Sequence, residues 1–579
     1  IFNQIIIIYF IIFIFNNLSA SAIKTNISSK YYDIFSKPVL SNNDIERYRK
    51  IINYQESCKW KLANKYILEL KNEILTGHVL AQRYLHPRCY RSEFLELSSW
   101  LIMYNDLPQA KRIYRLAIKR MPKGYKRPAT PSKVVGIKET NFKKKEKNVY
   151  KSKLKLTNNQ KSEKKKLINT IKSRVNKGWP TGAVKRLKQN DVKILLDQVE
   201  IDQQKELIAK GYFLANKNKL AIQYAKEANK NSFMYVPYIN WTAGLAAWRL
   251  EEYSLAAKFF SDFSIALQED EWHQASGSFW ASRAYAELNK FEEINYWLKR
   301  AAKNPNSFYG ILASNILGIN RPIDWSKDKL NQDIEKNITM LPSGKRIKAL
   351  IQVGLIEELE KEIVKINSLM NKDVAMWSLE IAEYFNLAYT QLKIASKLSQ
   401  YNVELPTKYF YPIPTWKPVG GFKIDSSLIY AFMHQESMFN PSAKSSRGAI
   451  GLMQIMPKTA KFISKNKEVR RNNSTILKKP ELNLEVGQEY IEYLLDYENI
   501  NGNLIYLAAA YNGGPGNLKK WLDKTNYQND PLLFMESIPS RETRWFIEKT
   551  LTKYWIYKNQ MGEKSNSLEM LAKGENPIY

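Results

Sequence analysis

The sequence predicts a mainly all-α protein that combines an N-terminal α-solenoid, or superhelix, with a separate helical domain at the C-terminus. Apolar residues recur at helical spacing within 23–137, which we predict to be an N-terminal helical region. A pattern that begins at Trp241 recurs loosely 38 residues later at Phe279, and a weaker copy surrounds Gly211. Small residues, large aromatics and a period in the high thirties are typical of stacked helical hairpins. We therefore assign 167–400 to a helical-repeat superhelix and its aromatic side chains to the core.

Two stretches of unusual composition separate these regions. The stretch from Lys138 to Lys166 is rich in lysine and poor in apolar residues. It cannot bury enough apolar surface to order itself, so we predict a disordered Lys-rich linker or insertion over 138–166. Residues 401–424 contain four prolines after Leu405 and a Gly-Gly pair, which predicts a Pro/Gly linker. The segment 425–579 then forms a domain of its own.

The first 22 residues have the layout of a secretory signal peptide. The apolar run from Ile5 to Phe15 is shorter than the roughly 20 residues that a membrane-spanning helix needs. An Ala-Ser-Ala pattern follows and ends at Ala22, which suits signal peptidase. We expect cleavage there and an exported protein that begins near Ile23. An uncleaved anchor stays open as the alternative, because no Lys or Arg precedes the apolar run.

Charge and cysteine content restrict the function classes. The formal net charge is +33, which alone would suggest a polyanionic partner. Export argues against nucleic acid and favours cell-wall polyanions, but the abundance of Lys, Asn and Ile along the whole chain is also what an AT-rich genome produces. The only two cysteines, Cys58 and Cys89, leave their pairing open. The four His and two Cys show no metal-ligand spacing, and no dinucleotide or phosphate-loop motif is present, so we expect neither a metal nor another cofactor.

Glu436 is the strongest candidate for a reactive side chain. Asp425 is suited to cap a helix whose apolar face includes Phe432 and Met433, and Glu436 lies on that same face. The helix should end near Phe439, since the following Asn440 precedes a proline, and Pro457 fits the first turn of the next helix. Burial would raise the pKa of the Glu436 carboxyl, as a general acid requires, although an ion-paired structural glutamate explains the position equally well.

The residues that follow remove this ambiguity. The stretch from Glu436 to Ala460, which reads ESMFNPSAKSSRGAIGLMQIMPKTA, resembles the signature of the soluble lytic transglycosylases almost continuously. Two later motifs agree, AYNGGPG at 510–516 and IPSRETR at 538–544. The resemblance covers roughly 425–560 and implies a goose-type-lysozyme-like, mostly helical catalytic domain. Phe546 departs from the family pattern, which usually has Tyr there, so any hydrogen bond from that hydroxyl is missing.

The resemblance implies a reaction and a set of site residues. Glu436 would be the catalytic acid and base, with the substrate-binding set Ser445, Gln454, Met456, Tyr511, Asn512 and Glu542. The bond cleaved would be the β-1,4 link between N-acetylmuramic acid and N-acetylglucosamine in peptidoglycan, leaving 1,6-anhydromuramoyl ends. Packing is the alternative for Tyr511, and pairing on the helix surface is the alternative for Glu542.

The same residues leave two other functions open, a hydrolytic lysozyme or chitinase and an inert wall-binding scaffold. The expected partner is the glycan strand, in the periplasm, with no nucleic acid involved. Peripheral contact with the outer membrane or with wall polyanions stays open, and a monomer is expected.

Overall fold

The computed structural model describes residues 37–132, 150–320, 322–326, 336, 338–367, 371–471 and 475–579. Helices provide its regular secondary structure, and no β-strand occurs among these residues beyond isolated bridges such as Ile450 with Ile455. This confirms the all-α class. No helix in the described ranges is long and apolar enough to cross a membrane. The predicted signal segment, residues 1–22, lies outside the described residues.

The chain divides into two compact units whose sequences interleave. Among the described residues, the first unit combines 37–132 with those of 324–414, and the second combines those of 150–323 with those of 415–579. The stretch 167–400, predicted as one superhelix, is therefore shared between both units. This division follows from packing between segments that are distant in sequence, which a repeat pattern does not reveal.

The first unit is a set of helices around two apolar clusters, a larger one that joins residues 40–79 to 338–409 and a smaller one within 81–117. Its helices are Asn42–Glu56, Trp60–Leu68, Thr76–Tyr84, Phe94–Tyr104, Ala110–Arg120, Pro342–Val353, Ile356–Ile366, Lys372–Tyr384 and Ala388–Ser399, followed by the 3₁₀ helix Thr407–Phe410. Tyr48 and Trp377, both fully buried, belong to the same core. Cys58 and Cys89 form a disulfide, which resolves the pairing that the sequence left open.

Two predicted linkers are more ordered than expected. Thr157 caps the helix Asn158–Asn176 by accepting a hydrogen bond from the Gln160 backbone N–H, so the last part of 138–166 is helical and the prediction of disorder is wrong there. Residues 133–149 lie outside the described part of the chain. In the Pro/Gly stretch, Tyr409 is buried in the core of the first unit, so 401–424 is partly packed. Both corrections come from tertiary contacts that offset unfavourable local composition.

The second unit begins with stacked helical hairpins. Its helices up to residue 316 are Asn158–Asn176, Pro180–Leu187, Val192–Leu195, Gln198–Leu214, Asn218–Ser232, Pro237–Arg249, Tyr253–Ala266, Glu271–Glu287, Phe291–Ala302 and Phe308–Ile316. The repeated pattern falls on the helices that contain Trp241 and Trp280. Trp280 is fully buried, and its ring meets those of Trp241 and Phe260 at 6.2 and 5.4 Å. The prediction that these aromatics form core is confirmed.

The C-terminal segment completes the second unit. Its helices are Ser426–Ser437, Pro457–Ile463, Lys467–Arg470, the 3₁₀ helix Ile476–Lys478, Pro480–Leu495, Leu504–Gly513, Pro515–Lys524, Pro531–Ser537, Arg541–Gln560 and Asn566–Ala572. It packs against the hairpins through polar and aromatic contacts. Tyr309 donates a 2.6 Å hydrogen bond to buried Glu536, and the Phe308 and Trp555 rings stack at 5.3 Å. The hairpins therefore support the helices that carry the predicted site.

Candidate active site

The Glu436 helix, Ser426–Ser437, begins where the sequence predicts and ends slightly earlier. The Asp425 carboxylate accepts a 2.8 Å hydrogen bond from the Ser427 backbone N–H and caps the helix. Met438 and Phe439 have positive φ angles of 52° and 63°, so the chain leaves the helix before the proline. Glu436 thus lies in the last turn of the helix, after the buried residues 427–434.

Glu436 retains partial access to solvent, while the protein around it disfavours its charged form. Burial and, secondarily, the negative charge of Glu542 raise the pKa of its carboxyl from 4.5 to about 8. Glu542 itself is exposed in the first turn of the helix Arg541–Gln560. The predicted acid is therefore mainly protonated at neutral pH.

Tyr511 connects Glu436 to the loop that follows it. Its hydroxyl donates a 2.7 Å hydrogen bond to the Met453 carbonyl oxygen, and its ring lies 4.6 Å from that of Phe432. Burial and the proximity of Glu436 raise the pKa of Tyr511 well above its usual value. Tyr511 therefore stays neutral and serves as a hydrogen-bond donor beside the glutamate.

Phe546, the departure from the family pattern, is part of this aromatic packing. It is 4% exposed, and its ring stacks parallel to that of Tyr511 at 6.2 Å. The ring also lies 5.9 Å from Phe432. The position supports Tyr511 through its ring faces, which need no hydroxyl group.

The loop between Ser445 and Met456 folds back on itself. The Ser445 hydroxyl accepts a 2.9 Å hydrogen bond from the Ala449 backbone N–H, and Ile450 forms a bridge with Ile455. Gln454 has a left-handed φ of 45°, and its side-chain amide donates to the Gly451 carbonyl oxygen at 2.8 Å. Met456 is 39% exposed and directly precedes the helix Pro457–Ile463, which starts at Pro457 as predicted.

Asn483 holds this loop in place and is the residue that sequence reasoning missed. It is fully buried, and its side-chain oxygen accepts a 2.7 Å hydrogen bond from the Met453 backbone N–H. Its amide nitrogen donates to the carbonyl oxygens of Ile450 and Leu477 at 3.0 and 2.8 Å. A Cβ at Gly451, where φ is +81°, would lie 2.3 Å from that nitrogen. A lone Asn in an amphipathic helix carries no sequence signal of this role.

The predicted site residues are brought together to different degrees. Glu436 interacts electrostatically with both Glu542 and Tyr511. Asn512 accepts a 2.8 Å hydrogen bond from the Thr543 hydroxyl, next to Glu542, which fixes its side chain. Ser445, Gln454 and Met456 share the loop whose Met453 carbonyl binds Tyr511. The assignment of these residues to substrate stays a prediction.

Parts of the chain are similar to known proteins. Residues 417–534 match the family model described as Transglycosylase SLT domain. The soluble lytic murein transglycosylase of Escherichia coli K12 is 30% identical over 306 residues, which is 52% of this chain and 45% of that protein. A putative soluble lytic murein transglycosylase of Haemophilus influenzae is 27% identical over 330 residues, 53% of each chain. The chain spans about half the length of these curated relatives.

The fold has a counterpart among solved structures. An inactive Glu-to-Gln mutant of the lytic transglycosylase Slt from Pseudomonas aeruginosa matches with a TM-score of 0.52 over 90% of each chain. Its sequence identity is 17%, so this likeness shows the fold alone. Residues 417–534 therefore carry a transglycosylase SLT domain, and about half of the chain is similar in sequence to the soluble lytic murein transglycosylases.

Proposed function

We propose that the protein is a lytic transglycosylase that cleaves the β-1,4 bond between N-acetylmuramic acid and N-acetylglucosamine in peptidoglycan. The main support is the pKa of about 8 for the Glu436 carboxyl, which lies in the last turn of a helix within the SLT domain. A carboxylic acid that stays protonated at neutral pH can donate a proton to a glycosidic oxygen. The proteins that this chain resembles are lytic transglycosylases, which supports the same reaction class.

In the first step, Glu436 protonates the oxygen that links muramoyl C1 to the next sugar. The C1–O bond breaks, and the departing sugar leaves with that proton as an alcohol. The 2-acetamido group of the muramoyl residue stabilises the positive charge that develops at C1. Glu436 is now a carboxylate in surroundings that disfavour its charge, so it is a strong base.

In the second step, the Glu436 carboxylate takes the proton from the muramoyl C6 hydroxyl. The C6 oxygen attacks C1 and closes the 1,6-anhydro ring, which returns the glutamate to its protonated form without consuming water. One carboxyl group thus performs both proton transfers, whereas ordinary glycosidases divide them between two carboxyl groups. Glu542 contributes by its charge, which helps to raise the pKa of Glu436.

The remaining site residues would bind and orient the strand. The Ser445 hydroxyl oxygen accepts a hydrogen bond from the Ala449 N–H, and its hydrogen can turn toward an acetamido carbonyl of the substrate. Gln454 and Asn512 keep amide groups available for sugar hydroxyls, and Met456 offers an exposed apolar surface. Tyr511 would hold the loop against Glu436 by its bond to the Met453 carbonyl.

We propose that the protein acts on glycan strands in the periplasm, as a monomer and without nucleic acid or a cofactor. Mass spectrometry of the fragments released from purified sacculi tests the reaction. Fragments with 1,6-anhydromuramoyl ends support the proposal, whereas reducing ends assign the site to a hydrolase. A failure to release any fragment, from a folded protein that still binds sacculi, would favour an inert scaffold.

A further inference from the structure

A concentrated basic surface begins immediately after Met456. In the fifteen residues 457–471 there are six cations and one carboxylate, Glu468, or five net positive charges, compared with 89 cations in the 579 residues of the chain. All six cations are exposed: Lys458, Lys461, Lys465, Lys467, Arg470 and Arg471. We call this segment the basic rim. A lysine-rich composition alone would spread its charges evenly, so the local density calls for another cause.

The charges of the basic rim are only partly compensated within the described part of the fold, where the charge of Lys465 lowers the pKa of the Glu489 carboxyl and opposes the effect of its burial. None of its six cations forms an ion pair with another residue that the structure describes. Lysines elsewhere in the same unit do find partners, for example Lys558 with Asp425 at 3.0 Å and Lys205 with Asp202 at 3.0 Å. Like charges placed so close together repel one another, so the arrangement has an electrostatic cost that a bound anion would relieve.

The basic rim follows directly after the loop that carries Gln454 and Met456. We call the proposed strand-binding surface of Glu436, Gln454 and Met456 the cleft. The first helix of the basic rim, Pro457–Ile463, starts one residue after Met456 and packs on the helix Pro480–Leu495, where the Phe462 and Tyr493 rings meet at 5.6 Å. The latter helix also carries Asn483, which holds the Met453 backbone. Charges act over about 10 Å at ~0.1 M salt, so the potential of the rim extends along a strand that lies in the cleft.

We propose that the basic rim binds the free carboxylates on the peptide side chains of peptidoglycan and holds the strand while the neighbouring cleft cleaves it. The inference rests on the proposed function, since that function supplies the strand. Peptidoglycan is a neutral glycan with carboxylates on its peptides, so the surface complementary to it is positive. The basic rim should therefore bind strands whose peptides carry free carboxylates more tightly than strands whose carboxylates are blocked.

The test compares two sets of four lysine-to-glutamine changes in the full-length chain. The rim variant replaces Lys458, Lys461, Lys465 and Lys467. The control variant replaces the exposed lysines Lys217, Lys219, Lys226 and Lys230 on or next to the helix Asn218–Ser232, which likewise lack a described ion pair. Both sets are made in the Glu436→Gln background, and retention on sacculi stripped of bound polymers is measured by co-sedimentation. Matching circular dichroism and Tm verify folding.

Each exposed ion pair contributes modestly to binding. The loss of four lysine charges in the rim variant should therefore weaken its binding to sacculi about ten-fold at ~0.05 M salt and much less at ~0.5 M. The control variant should bind as the parent does. Conversion of the sacculus carboxylates to methylamides should weaken the binding of the parent protein to the level of the rim variant. Equal binding of rim and control variants, or parent binding that methylamidation leaves unchanged, overturns the proposal. This assay needs no turnover, so it fails or succeeds independently of whether wild-type protein releases anhydro-ended fragments.

Discussion

Replacement of Glu436 by glutamine preserves the size of the side chain but prevents it from transferring a proton. With a pKa of about 8, the carboxyl is protonated in about nine molecules of ten at pH 7, whereas with a pKa of 4.5 it would be protonated in about one of 300. General acid and general base catalysis each contribute about 10²–10⁴-fold. Because one group performs both, kcat should fall at least 1,000-fold while binding to glycan strands is largely preserved.

The assay is the release of soluble fragments from purified sacculi between pH 5 and pH 10. Wild-type activity should decline above about pH 8, since the carboxyl then loses the proton that the leaving oxygen needs. The residual activity of Glu436→Gln should show no such decline. The exposed Glu481, changed to Gln, is the matched control and should behave as wild type.

Stability gives an independent measurement of the same group. The folded-state pKa of Glu436 lies above its unfolded value of 4.5, so folding favours the protonated form. Its contribution to stability is fully present below pH 4.5 and is lost as the pH rises through about 8. Glu436→Gln should therefore be more stable than wild type in urea unfolding at pH 9 and similar at pH 4. A variant that retains more than a few per cent of wild-type activity, or a wild-type profile that does not decline above pH 8, would refute the reasoning.

Three further changes test the surroundings of the site and the first unit. Glu542→Gln removes the negative charge that helps to raise the pKa of Glu436. The decline of activity at alkaline pH should therefore begin at lower pH, and the loss of activity should be smaller than for Glu436→Gln. An unchanged pH profile would contradict the electrostatic effect of Glu542 on Glu436. Asn483→Ala removes the side-chain partner of the Met453 N–H and the Leu477 carbonyl, while the Ile450 carbonyl keeps its bond from the Ile455 N–H. The free energy of unfolding should fall by roughly 2 kcal/mol or more, with reduced kcat, whereas a loss below ~1 kcal/mol would show that the loop does not depend on Asn483. Cys58→Ser with Cys89→Ser opens a loop of 31 residues and should cost about 3–4 kcal/mol in chemical unfolding, and unchanged stability would count against the disulfide.

Local sequence rules predicted most of the C-terminal domain because its signals act over a few residues. Asp425 as a cap and Pro457 at a helix start each depend on the backbone groups next to them, and both predictions are confirmed. The position of Glu436 on an apolar helix face predicted a raised pKa, and the direction is confirmed. The exact end of that helix was less certain, because Met438 and Phe439 adopt left-handed conformations that their residue types do not announce.

Other features depend on residues that are far apart in the chain. Asn483 holds the loop of Met453 across 30 positions, and Glu542 influences Glu436 from another helix. Hydrogen bonds and charges between segments act through space, so no pattern at helical spacing could assign these partners. The same reason explains why the two compact units interleave along the sequence, and why Cys58 and Cys89, which lie between helices, could be paired only once the surrounding helices were placed.

The sequence by itself determined the helical class, the repeat, the domain that carries the chemistry and the residue most suited to transfer a proton. These follow from helical spacing, turn-forming residues and a motif of 25 nearly continuous positions. Only the tertiary structure decided how strongly the protein disfavours the Glu436 charge, which buried amide supports the loop, and that the cations of residues 457–471 form no ion pair with the residues that the structure describes. The physical reason is that desolvation and electrostatic interaction depend on all atoms near a group, and most of those atoms belong to residues distant in the sequence.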